Sequence, residues 1–363
     1  TVRHARAFGI EMRDEGQANF ATVMQRMRRL RAHISPHDSA QRFRELGIDV
    51  YFGQARFVDS STVDVEGTRL TFKQAVIATG ARAAAPPIPG LHTVKYLTNE
   101  TLFSLTELPS RLGVIGAGPI GCEMAQAFAQ LGSEVLLVEA EHGILPREDR
   151  DAAAIVQQRI ARDGVTLVCC GQNLAIRNER GIRLVVDSHG RSYDEPIDQL
   201  LVSVGRAPNV EHLNLEAVGV EYDKKGVKVN ARMQTTNPRI YAAGDICSPY
   251  QFTHAADFMA RIVIQNALFK GRKTSSSLVM PWCTYTSPEI AHVGLYENQA
   301  KEKGIAVDTF VQEFREVDRA VLDGDEDGFV KVHVKKGTDT IVGATIVARH
   351  AGDMISDLSL AIT

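Results

Sequence analysis

The chain has 363 residues, 44% of them hydrophobic and 23% charged, enough to bury the cores of two or three domains. A net charge of -3 gives no electrostatic case for nucleic acid or an anionic membrane surface as partner, and no apolar run approaches the ~20 residues that span a bilayer. Five cysteines without regular spacing, and no visible signal peptide, read as a reduced, cytoplasmic protein rather than a disulfide framework.

In chain order, the apolar spacing over 19–34 predicts an amphipathic helix. Phe20, Val23, Met27, Leu30 and Ile34 face inward, and Arg26, Arg28, Arg29 and Arg31 form a solvated face. Short strands are expected over 48–52, 55–58, 62–65 and 69–72, the last after a Glu66-Gly67 turn. Residues 75–80 form an apolar strand ending in small residues, and Pro86 to Gly90 is a stiff linker.

A strand beginning at Leu112 then runs into Gly116-x-Gly118-x-x-Gly121, a helix to about Leu131, and a second strand over 134–138 that ends on Glu139. This is a complete unit for gripping a dinucleotide. Gly116 permits the tight turn, Gly118 lets the backbone approach a pyrophosphate, and Gly121 lets helix and strand pack closely. The helix N-terminus favours the phosphate charge, and Glu139 is placed to accept hydrogen bonds from the adenosine ribose. A 2′-phosphate would be repelled there, and no arginine follows before Arg147, so NADH is expected over NADPH. Further strands are expected over 165–168 and 200–204, and another ends at Ala243-Gly244-Asp245 before a helix over 255–269. The tail carries strands over 329–334 and 341–348, then a helix with Met354, Ile355, Leu358 and Ile362 on its apolar face. With no initiator methionine and no cap on that last helix, both ends read as cut.

These landmarks resemble, in order, the flavoprotein disulfide reductases, which include glutathione reductase, dihydrolipoamide dehydrogenase and mercuric reductase. Gly53-Gln-Ala55-Arg-Phe57 is similar to the strand whose backbone meets the flavin adenine. Ala78-Thr79-Gly80 and Gly205-Arg-Ala-Pro-Asn209 resemble the outgoing and returning crossings. Ala243-Gly244-Asp245 resembles the second flavin signature, whose aspartate meets a ribityl hydroxyl; as an isolated residue, Asp245 reads as a helix cap. The phrases Leu97-Thr-Asn-Glu100, Ile144-Leu-Pro-Arg-Glu-Asp149 and Val317-Asp-Arg-Ala-Val-Leu-Asp-Gly324 are closest to the mercuric-reductase-like branch.

The resemblance implies an α/β chain with two Rossmann-like nucleotide-binding domains and a truncated α+β dimerisation domain. The flavin domain would be 1–108, completed by 235–272, with the NAD(P) domain at 109–234 and dimerisation at 273–363. It implies FAD and NAD(P)H as cofactors, a homodimer, and electron transfer through a cysteine pair to a thiol, disulfide or Hg(II) substrate. A flavin NADH dehydrogenase, a lipoamide-type dehydrogenase and a non-catalytic nucleotide-binding fragment stay open as alternatives.

The departures are specific. The family's first glycine fingerprint, its Cys-x4-Cys and its C-terminal His-Pro segment do not occur in the chain. Without a thiol pair against a flavin, this chain is expected not to reduce Hg(II) or a disulfide by itself. In the family, the residue at Glu123 pairs with a lysine beside the flavin. Here the resemblance implies a poorly compensated carboxylate with a raised pKa, the alternative being an exposed first-turn glutamate. Cys169-Cys170 invites a soft-metal reading, but following a buried strand the pair reads as inert, so no metal site is assigned. Cys122 is expected in the helix–sheet seam. For His254 an approach to the flavin ring and a helix-start or core position are equally open.

Overall fold

The computed structural model describes residues 18–363; residues 1–17, expected in the flavin domain, lie outside the described residues. Helix α1 (Phe20–Ile34) buries Phe20 and Met24, with Phe20 tilted against Phe128 at 5.7 Å between ring centroids. Met27 packs on the same core, whereas Val23, Leu30 and Ile34, expected inward, are exposed. Phe128 decides the inward face, which follows the i, i+4, i+7 row Phe20, Met24, Met27. Arg28 donates to the Leu105 carbonyl at 3.2 Å, so the arginine run is not wholly a solvated face.

Helix α2 (Ala40–Glu45) starts on Ser39, which accepts from the Arg42 N–H. Residues 48–52, expected as a strand, have no strand partner among the described residues and expose Ile48, Tyr51 and Phe52. Strands β1 (Ala55–Asp59), β2 (Thr62–Val65) and β3 (Thr68–Thr71) make an antiparallel sheet. The expected turn lies between the last two, with Glu66 and Gly67 at φ +48° and +87°. Strands β4 (Ala75–Ile77) and β5 (Ala81–Ala83) follow.

The unit first legible in the sequence folds as β6 (Arg111–Ile115), α3 (Pro119–Leu131), β7 (Glu134–Val138), α4 (Arg150–Arg162) and β8 (Val165–Val168). Proline at the first turn starts α3 and Gly132 at φ +115° ends it, while Asp149 caps α4 by accepting from Asp151 and Ala152 N–H. An antiparallel excursion follows through β9 (Gln172–Asn178), β10 (Ile182–Ser188) and β11 (Arg191–Ile197). β12 (Gln199–Val202) then joins a parallel sheet in the order β12-β6-β7-β8. Helices α3 and α4 cover one face of this sheet and the excursion β9–β11 the other, so its two central strands are apolar on both faces.

Strand β13 (Arg206–Pro208) pairs antiparallel with β5, and β14 (Tyr222–Asp223) with β15 (Gly226–Val227). β16 (Ile240–Ala242) runs parallel to β4 and leads to α5 (Thr253–Leu268). The C-terminal part has β17 (Pro281–Thr284), β18 (Glu289–Gly294), α6 (Glu297–Glu302), β19 (Val307–Glu313), α7 (Asp318–Asp323), β20 (Phe329–Lys335), β21 (Ile341–Ala348) and α8 (Ala351–Ile362). Its antiparallel sheet has the order β17-β18-β21-β20-β19. On α8, Ile355 is buried with Leu358 and Ile362 packed beside it, while Met354, expected on that face, is partly exposed.

The architecture is thus α/β with an α+β C-terminal part, and the chain divides into two compact units. One holds Ala85–Val204, Val279–Thr363 and residues 18–28; the other holds Arg29–Ala84 and Gly205–Leu278. The expected boundaries at 108/109 and 234/235 are not where the contacts break. Leu213, Leu215, Val218, Val220 and Val227, placed by the sequence reading in the nicotinamide domain, share a core with Phe57, Ile77 and Ile240. Leu91 and Leu102, placed in the flavin domain, pack in the unit that holds the parallel sheet.

Candidate functional site

The ends of β6 and β7 bring together Gly116, Gly118, Gly121 and Glu139. Gly116 turns at φ +96°, and its N–H donates to the Val138 carbonyl at 2.8 Å. A Cβ on Gly121 would fall 1.8 Å from the Gly116 oxygen, so helix and turn touch backbone to backbone. Gly118 behaves differently: no heavy atom lies within 4 Å of where its Cβ would be, and it starts α3 without a side-chain cap. The first turn therefore presents open space and helix N–H dipoles to an anion. Ser203, which the sequence reading missed, locks the turn from behind, its Oγ 2.9 Å from both the Ile115 and Gly116 carbonyls.

Glu139 closes this loop. Its Oε2 accepts from the Ala117 N–H at 2.7 Å, and Oε1 accepts from Ala140 and Glu141 N–H at 2.7 and 3.2 Å. The carboxylate is fixed beside the glycine turn before any ligand arrives. That pattern fits a dinucleotide, with phosphates on Gly118 and ribose at Glu139.

On α3, Cys122 is fully buried in the helix–sheet seam, as expected, and its Sγ contacts the Ala117 carbonyl at 3.2 Å. Burial pushes this thiol far up. Glu123 accepts from the Tyr285 N–H at 2.8 Å, and burial pushes its carboxyl up against that hydrogen bond. Its environment is therefore the desolvated one rather than that of an exposed first-turn glutamate.

In the second unit, Thr79, Gly80, Gly205, Gly244 and Asp245 lie around the β4–β16 and β5–β13 pairs. Thr79 Oγ1 donates to the Asn209 carbonyl and Asn209 Nδ2 donates back to Thr79, both at 2.9 Å. The Ala84 N–H donates to the Gly205 carbonyl at 3.0 Å. Gly244 turns at φ +79° against Ala256 of α5, and a Cβ there would come 3.2 Å from the Ala256 Cβ. Asp245 pairs with Arg206 at 3.1 Å, and Arg206 Nη2 donates to the Ala81 carbonyl at 2.7 Å. Arg206 was not singled out in the sequence; a position inside the returning crossing was the only signal. Its Nε is buried with no partner among the described residues. An acidic strand end, a glycine turn and an unspent donor fit the polar chain of a flavin. Ala55 opens β1 opposite Val65, and Phe57 of the same strand shares a core with Ile246, next to Asp245. His254 is an exposed residue in the first turn of α5, stacked on Phe252 at 5.4 Å.

Two findings depart from the sequence reading. Cys169 and Cys170 are not buried: both are half-exposed, with Cys170 Sγ 3.6 Å from His142 Nδ1 and Cys169 Sγ 3.7 Å from His189 Nε2. The pair follows the last residue of β8, where the sheet no longer covers it. A buried polar network was also missed, because its members lie far apart in sequence. Glu148 accepts from Trp282 Nε1 at 2.9 Å and from Tyr296 Oη at 2.6 Å. Fully buried His292 stacks on Tyr296 at 3.7 Å and meets Thr345 Oγ1 at 2.8 Å. Burial lowers the His292 pKa to about 3 and pushes Glu148 up.

With this geometry, the family models can be placed. Residues 15–260 match the model of pyridine nucleotide-disulphide oxidoreductases, and residues 280–363 match the dimerisation domain of that family. The chain belongs to this family. It is 36% identical over 349 residues to a mercuric reductase of Staphylococcus aureus, covering 96% of this chain and 64% of the relative. It is 33% identical over 322 residues to a dihydrolipoyl dehydrogenase of Geobacillus stearothermophilus, covering 87% and 68%. Among solved structures, a HOCl-induced flavoprotein disulfide reductase from Escherichia coli superposes with a TM-score of 0.84 at 28% identity, over 99% of this chain and 81% of that one. The chain thus spans under two thirds of the length of the mercuric reductase it matches. Among the described residues, no helix is long and apolar enough to cross a membrane.

Proposed function

We infer that this chain is the nucleotide-handling part of an FAD-dependent oxidoreductase that draws hydride from NADH. The observation that carries the reading is Glu139, held by three backbone N–H groups beside the uncapped first turn of α3. Bound cofactors would supply the redox chemistry, with hydride passing from nicotinamide to flavin. The chain's own residues orient them. Gly118 and the α3 N-terminus take the pyrophosphate, Glu139 takes the ribose hydroxyls, and Asp245 with Arg206 takes the flavin's polar chain. Glu123, desolvated on α3, would position the ring system as a carboxylate partner.

The family resemblance supports further transfer to a cysteine pair and on to a thiol, disulfide or Hg(II) substrate, in a cytoplasmic homodimer built through 280–363. The lipoamide-type reading rests equally on the relatives. Titration with NADH and NADPH, read by nucleotide fluorescence, tests the cofactor assignment. Glu139 should make NADH the tighter ligand, and tighter NADPH binding overturns it.

A further inference from the structure

Beside the nucleotide loop lies a second group of chemically competent side chains that the reductase reading does not use. His142 follows Glu139 in the loop after β7, and Cys169 and Cys170 follow β8. Neighbouring residues of an extended strand point to opposite faces. Here Cys170 takes φ +55°, which breaks that alternation. One donor atom from each of His142, Cys169 and Cys170 lies within 4.8 Å of the other two. Backbone bonds hold the two segments in place: Glu139 N–H to Val168 O at 2.9 Å, Gly171 N–H to Glu139 O at 2.9 Å, and Cys170 N–H to Glu141 O at 3.0 Å.

The spacing has a chemical meaning. With metal–sulfur bonds of about 2.3 Å and metal–nitrogen bonds of about 2.0–2.1 Å, tetrahedral ligand atoms sit about 3.5–3.8 Å apart. The Cys170–His142 pair at 3.6 Å is already at that separation. His189 supplies a fourth donor, the second imidazole, at 3.7 Å from Cys169, on an exposed turn residue at φ +49°. Two thiolates with imidazoles suit d¹⁰ cations of soft or borderline character, while no carboxylate belongs to the trio to favour magnesium or calcium.

We propose that His142, Cys169 and Cys170, with His189 or a water completing the set, form a binding site for a thiophilic d¹⁰ cation such as Zn(II). Two thiols lose their protons on binding, so each divalent ion taken up releases two protons and no electron moves. The site stands independently of which nucleotide or substrate the enzyme uses. Its three-residue separation from Glu139 makes it a clamp across the two loops that border the ribose position.

The test uses the intact chain, reduced and freed of metal. Zn(II) competed against a chromophoric chelator should bind at one equivalent, and Co(II) in its place should show thiolate-to-metal charge-transfer absorption. Alkylation mapped by mass spectrometry should find Cys169 and Cys170 protected by Zn(II), with Cys283 labelled at an unchanged rate. His142→Ala should weaken binding about tenfold or more, since even groups that only orient a ligand cost that much. Cys169→Ser/Cys170→Ser should abolish the stoichiometric site. Equal Zn(II) affinity in that double variant overturns the proposal. So does Co(II) binding without charge transfer, or alkylation of the pair at the metal-free rate. The last two readings need no variant and hold even if the double variant fails to fold.

Discussion

The two regions proposed to hold nucleotides are built on different terms. Around Gly116, Gly118 and Glu139 almost every interaction is backbone to backbone or backbone to carboxylate, so the loop is complete before a ligand binds. Around Asp245 the anchor is a side-chain ion pair to Arg206, and one arginine donor is left over. A preformed loop discriminates by shape and charge, whereas an ion pair with a spare donor can rearrange on binding.

The largest effect expected from breaking this contrast is at Gly121. A Cβ 1.8 Å from the Gly116 oxygen forces backbone to move, so Gly121→Ala should destabilise the unit with the parallel sheet by about 3 kcal/mol. Denaturant unfolding checks it, and a wild-type midpoint would show that α3 and the turn are not in hard contact.

Glu139→Ala and Asp245→Ala sharpen the comparison, since each removes charge-assisted hydrogen bonds that contribute roughly 1.5–3 kcal/mol. The first should weaken NADH by about 10–100-fold and narrow any gap to NADPH, with little effect on flavin. The second should weaken FAD retention in dialysis and leave NADH affinity alone. A variant that moves both ligands equally would merge the two sites into one.

Next in size, taken per pH unit, is an acid effect on the unit with the parallel sheet. His292 is neutral in the fold down to about pH 3, whereas the unfolded side chain takes a proton near 6.5. Between those values the unfolded state binds more protons, so stability is fully present above about pH 6.5 and falls with acid by up to about 1.4 kcal/mol per pH unit. His292→Phe, which keeps a ring against Tyr296, should flatten that slope in pH-dependent melts. An unchanged slope assigns the acid sensitivity elsewhere.

The smallest effect belongs to Gly205→Ala. No atom lies near the added methyl, but the backbone sits at φ +110°, so the cost is conformational alone, roughly 1–2 kcal/mol. A loss as large as that for Gly121→Ala would mean that the crossing is packed after all.

The legible parts of this molecule were those written locally. The turn, helix and acidic strand end from Leu112 to Glu139 could be read with a role for each glycine, because each constraint acts within a few residues. Arg206 opposite Asp245, and Ser203 behind Gly116, could not, because those contacts join strands nearly forty to ninety positions apart. The Cys169-Cys170 pair was misread for a related reason: an apolar strand leads into it, but burial ends at Val168 and the half-exposed pair meets histidines from two other loops. The α1 stripe failed by one step because Phe128, and not the helix's own pattern, chose the inward face.

The adjacent strands β5 and β13 carry a topological consequence. The chain leaves the second unit after Ala84 and re-enters it at Gly205, and those two residues are joined by a 3.0 Å hydrogen bond. Along the chain these two residues form a neck, with residues 85–204 between them. Ring-closure entropy grows only logarithmically, by about 0.6 kcal/mol per doubling of length, so the second unit is nearly indifferent to how much chain the neck encloses. A change of length within that span therefore leaves Thr79, Asn209 and Asp245 in place, but it has to spare the residues that pack on the later chain, such as Glu148 against Trp282 and Tyr296.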